Sequence, residues 1–343
     1  MRNQSTPRPL RARRRTGIAL AGALAFAGCK AGGDVNLGTQ MATGTGGEGG
    51  NGGAQSSSAS GVGGDSLGLG GAAGTGSGGS PKGDIYLNSL DTLYHFEPFS
   101  SVLTVIGKFD CVLLEPSPTA DTGMNDIALD KNDTMYGVAK LGGQSPGSAQ
   151  DQVIVSIDKK TGHCQKELVV DSKLVNPQGG LEIRGLSFVP QGTLDAGDEA
   201  LVALEIYGSY LKIDLAKKSA TVIGGLNGSG PLMWQTKGAD VVSIIGDKTY
   251  VTAARFGEGT DSLAIMDPKT GAIIQGFPMT SLTTLGGIAY WAGTLYGFTT
   301  EGKAYSLDPK TGVSTGIIVN NAPPDVQYHG AGVTTAAPLT IPK

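Results

Sequence analysis

Two stretches of the chain, MDPKTGAI (266–273) and LDPKTGVS (307–314), are nearly the same sequence. Each joins two runs of alternating apolar residues, and the same order of strand, acidic residue, turn and strand recurs elsewhere. The acidic positions of the five copies are Glu97, Asp158, Asp214, Asp267 and Asp308. Proline fixes φ in a turn, the aspartate side chain accepts from amides ahead of it, and glycine adopts positive φ. We therefore interpret Asp-Pro-Lys-Thr-Gly as a turn between two strands.

Two further strands precede most of these hairpins. The strand directly upstream is predicted at 84–89, 134–139, 200–205, 249–254 and 294–299. A strand before that one is predicted at 125–130, 184–189, 239–244 and 286–291. The first unit lacks it, and residues 330–337 near the C-terminus supply a candidate. Such four-stranded units, with the last strand completing the first unit, predict an all-β domain over 83–343 that closes into a β-propeller.

Five blades are expected from this count, and six blades, with one hidden in 172–240, are the alternative. The Asp-x-x-Thr-Gly turn resembles the repeats of quinoprotein-like propellers, and the resemblance covers the whole folded region. Quinoprotein dehydrogenase repeats carry a tryptophan after the Thr-Gly turn, and all five units here lack it. The resemblance therefore implies the fold, and the missing tryptophan argues against a pyrroloquinoline quinone enzyme.

The N-terminus is typical of a targeting segment. Five arginines between residues 8 and 15 precede an apolar stretch at 16–28, which is too short to span a bilayer as a helix. The stretch ends at Cys29 and resembles a bacterial lipobox, although Phe26 stands where that family prefers an aliphatic residue. The resemblance implies a signal peptide over 1–28, lipidation of Cys29 and, with Lys30 following, the outer membrane. A plain secretory signal is the alternative.

Residues 31–80 contain 20 glycines and almost no large apolar side chains. Such a stretch cannot bury enough surface to offset the entropy lost on ordering. We therefore predict that residues 29–82 form the lipid anchor and a disordered tether.

Charge limits the partners of the chain. The chain has 26 Lys+Arg and 30 Asp+Glu, and six of the basic residues lie in 1–28, so 20 basic residues face 30 acidic ones after that segment. An acidic domain disfavours nucleic acid and anionic lipid as partners, since both need a basic surface. We expect a monomer that contacts the membrane only through its lipid anchor.

With Cys29 lipidated, Cys111 and Cys164 remain as a pair in an oxidising compartment, where a disulfide is favoured. The predicted topology leaves the bond open, because the two cysteines lie near opposite faces of adjacent blades.

Propellers bind ligands at the mouth of the central channel, and several candidate residues fall in the loops there. Asp126 and Asp240 begin innermost strands, where two carboxylates could bind a hard cation such as Ca²⁺ or could cap backbone amides. Trp234, Arg255 and Phe256 lie in predicted mouth loops, and exposed aromatic and arginine side chains are common recognition anchors. The alternative for Trp234 is that it only packs beneath its loop.

Enzyme signatures are few. The chain has three histidines, no His-x-x-x-His pair and no Gly-x-Ser-x-Gly motif, so we assign no catalytic residue and expect no cofactor other than possible Ca²⁺. We predict an envelope-anchored, non-catalytic binding or scaffold module for a protein or a glycan. The alternative is a divalent-metal-dependent propeller hydrolase or lactonase that uses Asp126 and Asp240.

Overall fold

The computed structural model describes residues 84–112, 122–140, 152–175, 182–228, 230, 233–236, 240–279 and 282–342. The predicted signal peptide, Cys29 and the tether lie outside the described residues. In the described part, no helix has the length and apolar character needed to cross a bilayer. One 3-10 turn (Ser172–Leu174) is the helical element there, and the rest of the regular structure is β.

Within the described residues the strands form five antiparallel sheets, which we call blades A to E. Blade A contains β1 (Ile85–Asn88), β2 (Thr92–Glu97) and β3 (Val102–Lys108). Blade B contains β4 (Gly123–Leu129), β5 (Met135–Lys140), β6 (Gln152–Ile157) and β7 (Cys164–Val170). Blade C contains β8 (Ile183–Val189), β9 (Ala200–Glu205), β10 (Ser209–Asp214) and β11 (Ser219–Gly225).

The last two blades follow the same order. Blade D contains β12 (Trp234–Gln235), β13 (Val241–Ser243), β14 (Thr249–Arg255), β15 (Asp261–Met266) and β16 (Ile273–Pro278). Blade E contains β17 (Leu285–Trp291), β18 (Thr294–Thr299), β19 (Ala304–Leu307) and β20 (Ser314–Ile317). The final strand, β21 (Gly330–Gly332), belongs to the first blade.

The C-terminal strand closes the propeller. β21 pairs antiparallel with β1, with Leu87 opposite Ala331, and so becomes the innermost strand of blade A. The five-bladed, C-terminally closed propeller predicted from the repeat is confirmed, and the six-bladed alternative is wrong because 172–240 contributes one blade and the start of the next. Blade D departs from the pattern, since both β12 and β13 pair with β14 and together form a split innermost strand.

Burial decreases from the centre of the propeller to its edge. Every residue of the innermost strands β4 and β17 is buried, whereas every residue of the outermost strand β16 is at least partly exposed. Apolar side chains of successive blades pack face to face, and the aromatic group of Phe96, Phe298 and Tyr328 joins blade E to blade A. The closed ring of blades therefore supplies the core that no single four-stranded sheet could bury.

The repeated Asp-x-x-Thr-Gly segments form the turns between third and fourth strands. Asp267 Oδ1 accepts from Lys269 N at 2.9 Å, and its Oδ2 accepts from Thr270 Oγ1 at 2.9 Å. Gly271 N donates to Asp267 O at 2.8 Å, and Gly271 has φ +75. The turn at Asp308 repeats this geometry, so the interpretation as a turn holds in structural detail.

These turns also join neighbouring blades. Gly225 N at the end of β11 in blade C donates to Thr270 O of the blade D turn at 3.0 Å. A Cβ at the preceding Gly224 would lie 2.0 Å from the same oxygen. The turn of one blade therefore sits against the last strand of the blade before it, a contact that the repeat alone did not predict.

A disulfide lies in the corresponding contact between blades A and B. Cys111 and Cys164 are bonded with their Cα atoms 5.6 Å apart. The bond is geometrically possible because the residues after β3 run alongside the blade B turn. Cys164 N there donates to Asp110 Oδ1 at 3.0 Å. His163 Nδ1 lies 2.5 Å from Asp110 Oδ2, and this contact raises the pKa of His163.

We expect Gly271→Ala to lower the free energy of unfolding by roughly 2–4 kcal/mol. An alanine at positive φ strains the backbone, and its Cβ would be overpacked against neighbouring atoms. The added Cβ would lie 2.6 Å from Tyr210 Cβ of blade C. Gly316→Ala is the matched control, since a Cβ there has no neighbour within 4 Å. Urea unfolding of both variants measures the difference, and equal stabilities would contradict the packing role of the turn.

Candidate functional site

The candidate residues lie at one end of the channel, which we call the mouth. Innermost strands begin at this end, as at Gly123 and Ile183, and the second strands of the same blades end there, at Lys140 and Glu205. The Asp-x-x-Thr-Gly turns follow the third strands, at the strand ends that lie away from the mouth. The described residues at the mouth are therefore strand ends and segments other than the repeated turns.

Asp126 lies at the channel axis and is completely buried. Its Oδ1 accepts from the amide of Ile127 in its own blade at 2.8 Å, and its Oδ2 accepts from Leu186 N of blade C at 2.6 Å. The carboxyl group therefore joins the innermost strands of two adjacent blades.

Asp240 repeats this arrangement from blade D and is equally buried. Its Oδ1 accepts from Val241 N at 2.6 Å, and its Oδ2 accepts from Ile288 N of blade E at 2.6 Å. The amide of Ala331 in blade A also donates to this carboxyl group. Together the two aspartates accept one backbone amide from the innermost strand of each of the five blades.

Glycine occupies the matching position in the other three blades. These residues are Gly185, Gly287 and Gly330, each directly before an amide that donates to one of the two carboxyl groups. A Cβ at Gly330 would lie 2.1 Å from Asp126 Oδ1. The aspartate side chains thus fill the space beside Gly330, and a side chain at that position would collide with Asp126.

The two carboxyl groups are hydrogen-bonded to each other. Burial, reinforced by the charge of Asp240, raises the pKa of Asp126 well above its usual range. Burial also raises the pKa of Asp240 to about 8, against the opposing effect of the amide of Ile288. The pair therefore keeps at least one proton at neutral pH, since two ionised carboxylates in contact would repel.

Other buried polar side chains fasten adjacent blades at the mouth. Asn125 Nδ2 donates to Ile183 O at 2.9 Å, and the amide of Ile183 donates to Gln152 Oε1. Comparable contacts join Asn88 to Met124 O, Thr236 to Glu205 O and Leu285 N to Asp261. Sequence reasoning missed these residues. Their one signal is a polar residue at the end of an otherwise apolar strand, as at Gln152 and Asp261.

Trp234, Arg255 and Phe256 come together in blade D. Trp234 pairs with Arg255 across β12 and β14, and the Arg255 guanidinium lies 5.2 Å from the centre of the indole ring. Trp234 is buried against Gly276, whereas 64% of Phe256 is exposed. The tryptophan therefore supports the arginine and does not itself face solvent.

Two more exposed side chains extend this surface. Phe256 N donates to Met233 O at 2.8 Å, and Met233 is 51% exposed. Tyr207 of blade C is 63% exposed and follows Ile206, whose carbonyl accepts from Thr236 N at 3.1 Å. We call Tyr207, Met233, Arg255 and Phe256 the rim patch.

The described residues contain no group of three or more His, Cys, Asp or Glu side chains that could hold a metal ion. The carboxyl pair at the axis has its oxygens engaged by amides and is closed off from solvent. Among these features, the rim patch offers surface for recognition, and the carboxyl pair offers none.

No family model matches the sequence, and no curated protein matches it. Among solved structures, an oligogalacturonate lyase in complex with manganese has 9% identity and a TM-score of 0.35, covering 69% of this chain and 62% of its own. BamB from Moraxella catarrhalis has 12% identity and a TM-score of 0.31, covering 68% and 57%. A structural genomics protein of unknown function from Bacteroides thetaiotaomicron has 14% identity and a TM-score of 0.38, with the same coverage.

The chain spans less than two thirds of the length of these structures. None of these likenesses carries a functional argument, and the fold assignment rests on the strand pairing described above.

The carboxyl pair predicts a pH dependence of stability. The unfolded aspartates release protons near pH ~3.9, whereas the folded pair retains them to higher pH. Stability should therefore fall as pH rises from there to about 8, the pKa of Asp240. We expect Asp126→Asn, which keeps a donor toward Asp240, to flatten this decline in urea unfolding measured across the pH range.

Asp325→Asn makes the same chemical change at an exposed position and is the control. Parallel pH profiles of the wild type and both variants would contradict a shared proton at the axis.

Proposed function

We propose that the chain is a non-catalytic binding module, held at the outer membrane by lipidated Cys29 and the tether at 29–82, that binds a partner protein with its rim patch. The observation that carries the proposal is the arginine stacked on a buried tryptophan beside exposed aromatic side chains. The lipid anchor and the location rest on the lipobox resemblance and on the tether composition.

The composition of the rim patch favours a protein over a glycan. Tyrosine, phenylalanine, methionine and arginine are enriched in protein interfaces, and arginine and the aromatic residues dominate their hot spots. Trp234 fixes the Arg255 guanidinium by stacking, so less side-chain entropy is lost when a partner binds. Met233 adds an adaptable apolar contact next to Phe256.

The carboxyl pair supports a binding module over the metal-dependent hydrolase. Divalent cations need several free oxygen ligands at one point. The oxygens of Asp126 and Asp240 accept five backbone amides, so a cation could bind them only by breaking contacts between blades. We therefore propose a structural role for the pair.

The binding proposal can be tested by crosslinking in intact cells followed by quantification of the captured proteins. We expect Phe256→Ser to reduce recovery of a specific envelope protein by ~10-fold or more, because it removes an exposed aromatic anchor. Ile318→Ser is the control, since Ile318 is 85% exposed and lies after β20 in blade E.

The captured protein is then purified and its affinity for the wild type and both variants is measured. Equal affinity for the wild type and the Phe256 variant would rule out the rim patch as the binding surface.

The structural role of the carboxyl pair predicts that divalent cations do not stabilise the fold. We expect the same unfolding temperature in Ca²⁺, in Mn²⁺ and in EDTA, whereas a bound ion at 100 times its dissociation constant would add about 2.7 kcal/mol. A rise in unfolding temperature with either ion that disappears in Asp126→Asn would favour the hydrolase alternative.

A further inference from the structure

Both ends of the propeller domain lie on the face opposite the mouth, which we call the base. The third strand β2 ends at this face, and the antiparallel strand β1 begins there with Ile85. The innermost strand β21 also ends at the base. Residues 333–342 continue across it, where Ala292 N donates to Pro338 O at 2.8 Å. The predicted tether, which precedes β1 in the sequence, therefore joins the domain at its base.

Large apolar side chains are exposed together at the base. Phe99 stands on the turn after β2 with 62% of its surface exposed, and the centre of its ring lies 4.6 Å from that of Trp291. Leu339 lies between two turns, since its Cδ1 is 3.5 Å from a Cβ built at Gly246 and its O is 3.3 Å from one built at Gly293. We call the exposed side chains of this region, Phe99, Ile245, Leu339 and Ile341, the base patch.

The backbone holds the base patch in place. Ile245 N donates to Thr335 O at 2.9 Å, which fastens the blade D turn to the C-terminal segment. Trp291 is buried beneath Phe99, so the exposed ring rests on the core of blade E. Apolar side chains of peripheral proteins enter the boundary between headgroups and acyl chains to a depth of about 5–10 Å. Side chains on short turns at one face are suited to such shallow insertion.

The position of the tether favours a membrane as the occupant of the base patch. Contiguous exposed apolar surface marks a contact with a protein or with a membrane. The predicted tether links the proposed lipid anchor to the base and not to the mouth. A linked partner is present at a high effective concentration, so even a weak contact with the bilayer is populated.

The charges beside the base patch favour zwitterionic lipid. Asp247 and Lys248 follow Ile245 on the blade D turn, and Asp308 and Lys310 lie on the blade E turn, all four exposed. Zwitterionic headgroups carry a phosphate and an ammonium group, so they offer a partner to each sign of charge. Anionic lipid instead attracts surfaces with an excess of lysine and arginine.

We propose that the base patch lies in the headgroup region of a zwitterionic phospholipid bilayer, so that the propeller rests on the membrane with its mouth turned away. The proposal rests on the proposed lipid anchor and adds a second membrane contact to the one expected from the anchor alone. It also leaves the rim patch accessible to a partner protein.

The two tryptophans of the chain report on opposite faces, since Trp291 lies at the base and Trp234 at the mouth. The full-length lipidated protein is reconstituted into vesicles of phosphatidylethanolamine and phosphatidylcholine, with or without bromine on the acyl chains. Bromine quenches tryptophan emission at short range. We expect the emission of Trp291, isolated in Trp234→Phe, to fall about twofold in brominated vesicles, and that of Trp234, isolated in Trp291→Phe, to change little.

Phe99→Ser and Ile341→Ser, each combined with Trp234→Phe, should remove roughly half or more of this quenching. The Ile341 variant covers the case in which loss of Phe99 changes the emission of Trp291 directly. Phe256→Ser is the matched control and should leave the quenching unchanged, because Phe256 is 64% exposed but lies at the mouth.

Sedimentation of the vesicles tests the anchor separately, because a lipidated protein sediments with them whether or not the base patch makes contact. Sedimentation without selective quenching of Trp291 overturns the base patch proposal and leaves the anchor standing. Failure to sediment overturns both. A dimer in detergent that Phe99→Ser dissociates, together with absent quenching, would assign the base patch to a second copy of the chain and overturn the membrane contact.

Discussion

The amides at the centre of the propeller set the constraint on which the rest of the structure depends. An innermost strand has a sheet neighbour on one side only, so its other side presents backbone groups that have no partner within the blade. In this chain one such amide from each of five strands donates to Asp126 or Asp240. Two aspartates satisfy one amide from each of five strands because each carboxyl group accepts from its own blade and also from other blades.

This solution determines what the other blades can contain. At Gly330 the aspartates themselves exclude a side chain, since a Cβ there would lie 2.1 Å from Asp126 Oδ1, whereas at Gly287 a Cβ would collide with the backbone of β21. The same solution also joins blades that are distant in sequence, since Asp240 accepts from the C-terminal strand that closes the ring. The same contacts that complete the propeller leave the carboxyl oxygens at this level buried and occupied by amides.

Much of the fold could be predicted because it repeats. Alternating apolar residues and five copies of the turn gave the strand order, the blade count and the closing strand. The role of Asp126 and Asp240 depends on strand register and on glycines from three other blades, which no local pattern contains. The contact of Thr270 with Gly225 was missed for the same reason, since it joins neighbouring blades and the repeat describes one blade at a time. Among the residues predicted at the mouth, the stacking of Arg255 on Trp234 required the pairing of β12 with β14.

The split innermost strand of blade D links the fold to its proposed use. In blades B, C and E this strand is continuous with one irregularity in register near its start, whereas in blade D the register shifts by three residues between the pairs Gln235–Ala254 and Val241–Val251. β13 keeps Asp240 at the axis, so the contacts that hold the ring are preserved. β12 is thereby free to lie at the end of β14, where Trp234 supports Arg255 at the surface. One interruption of the repeat separates the residue that closes the channel from the residues that can meet a partner.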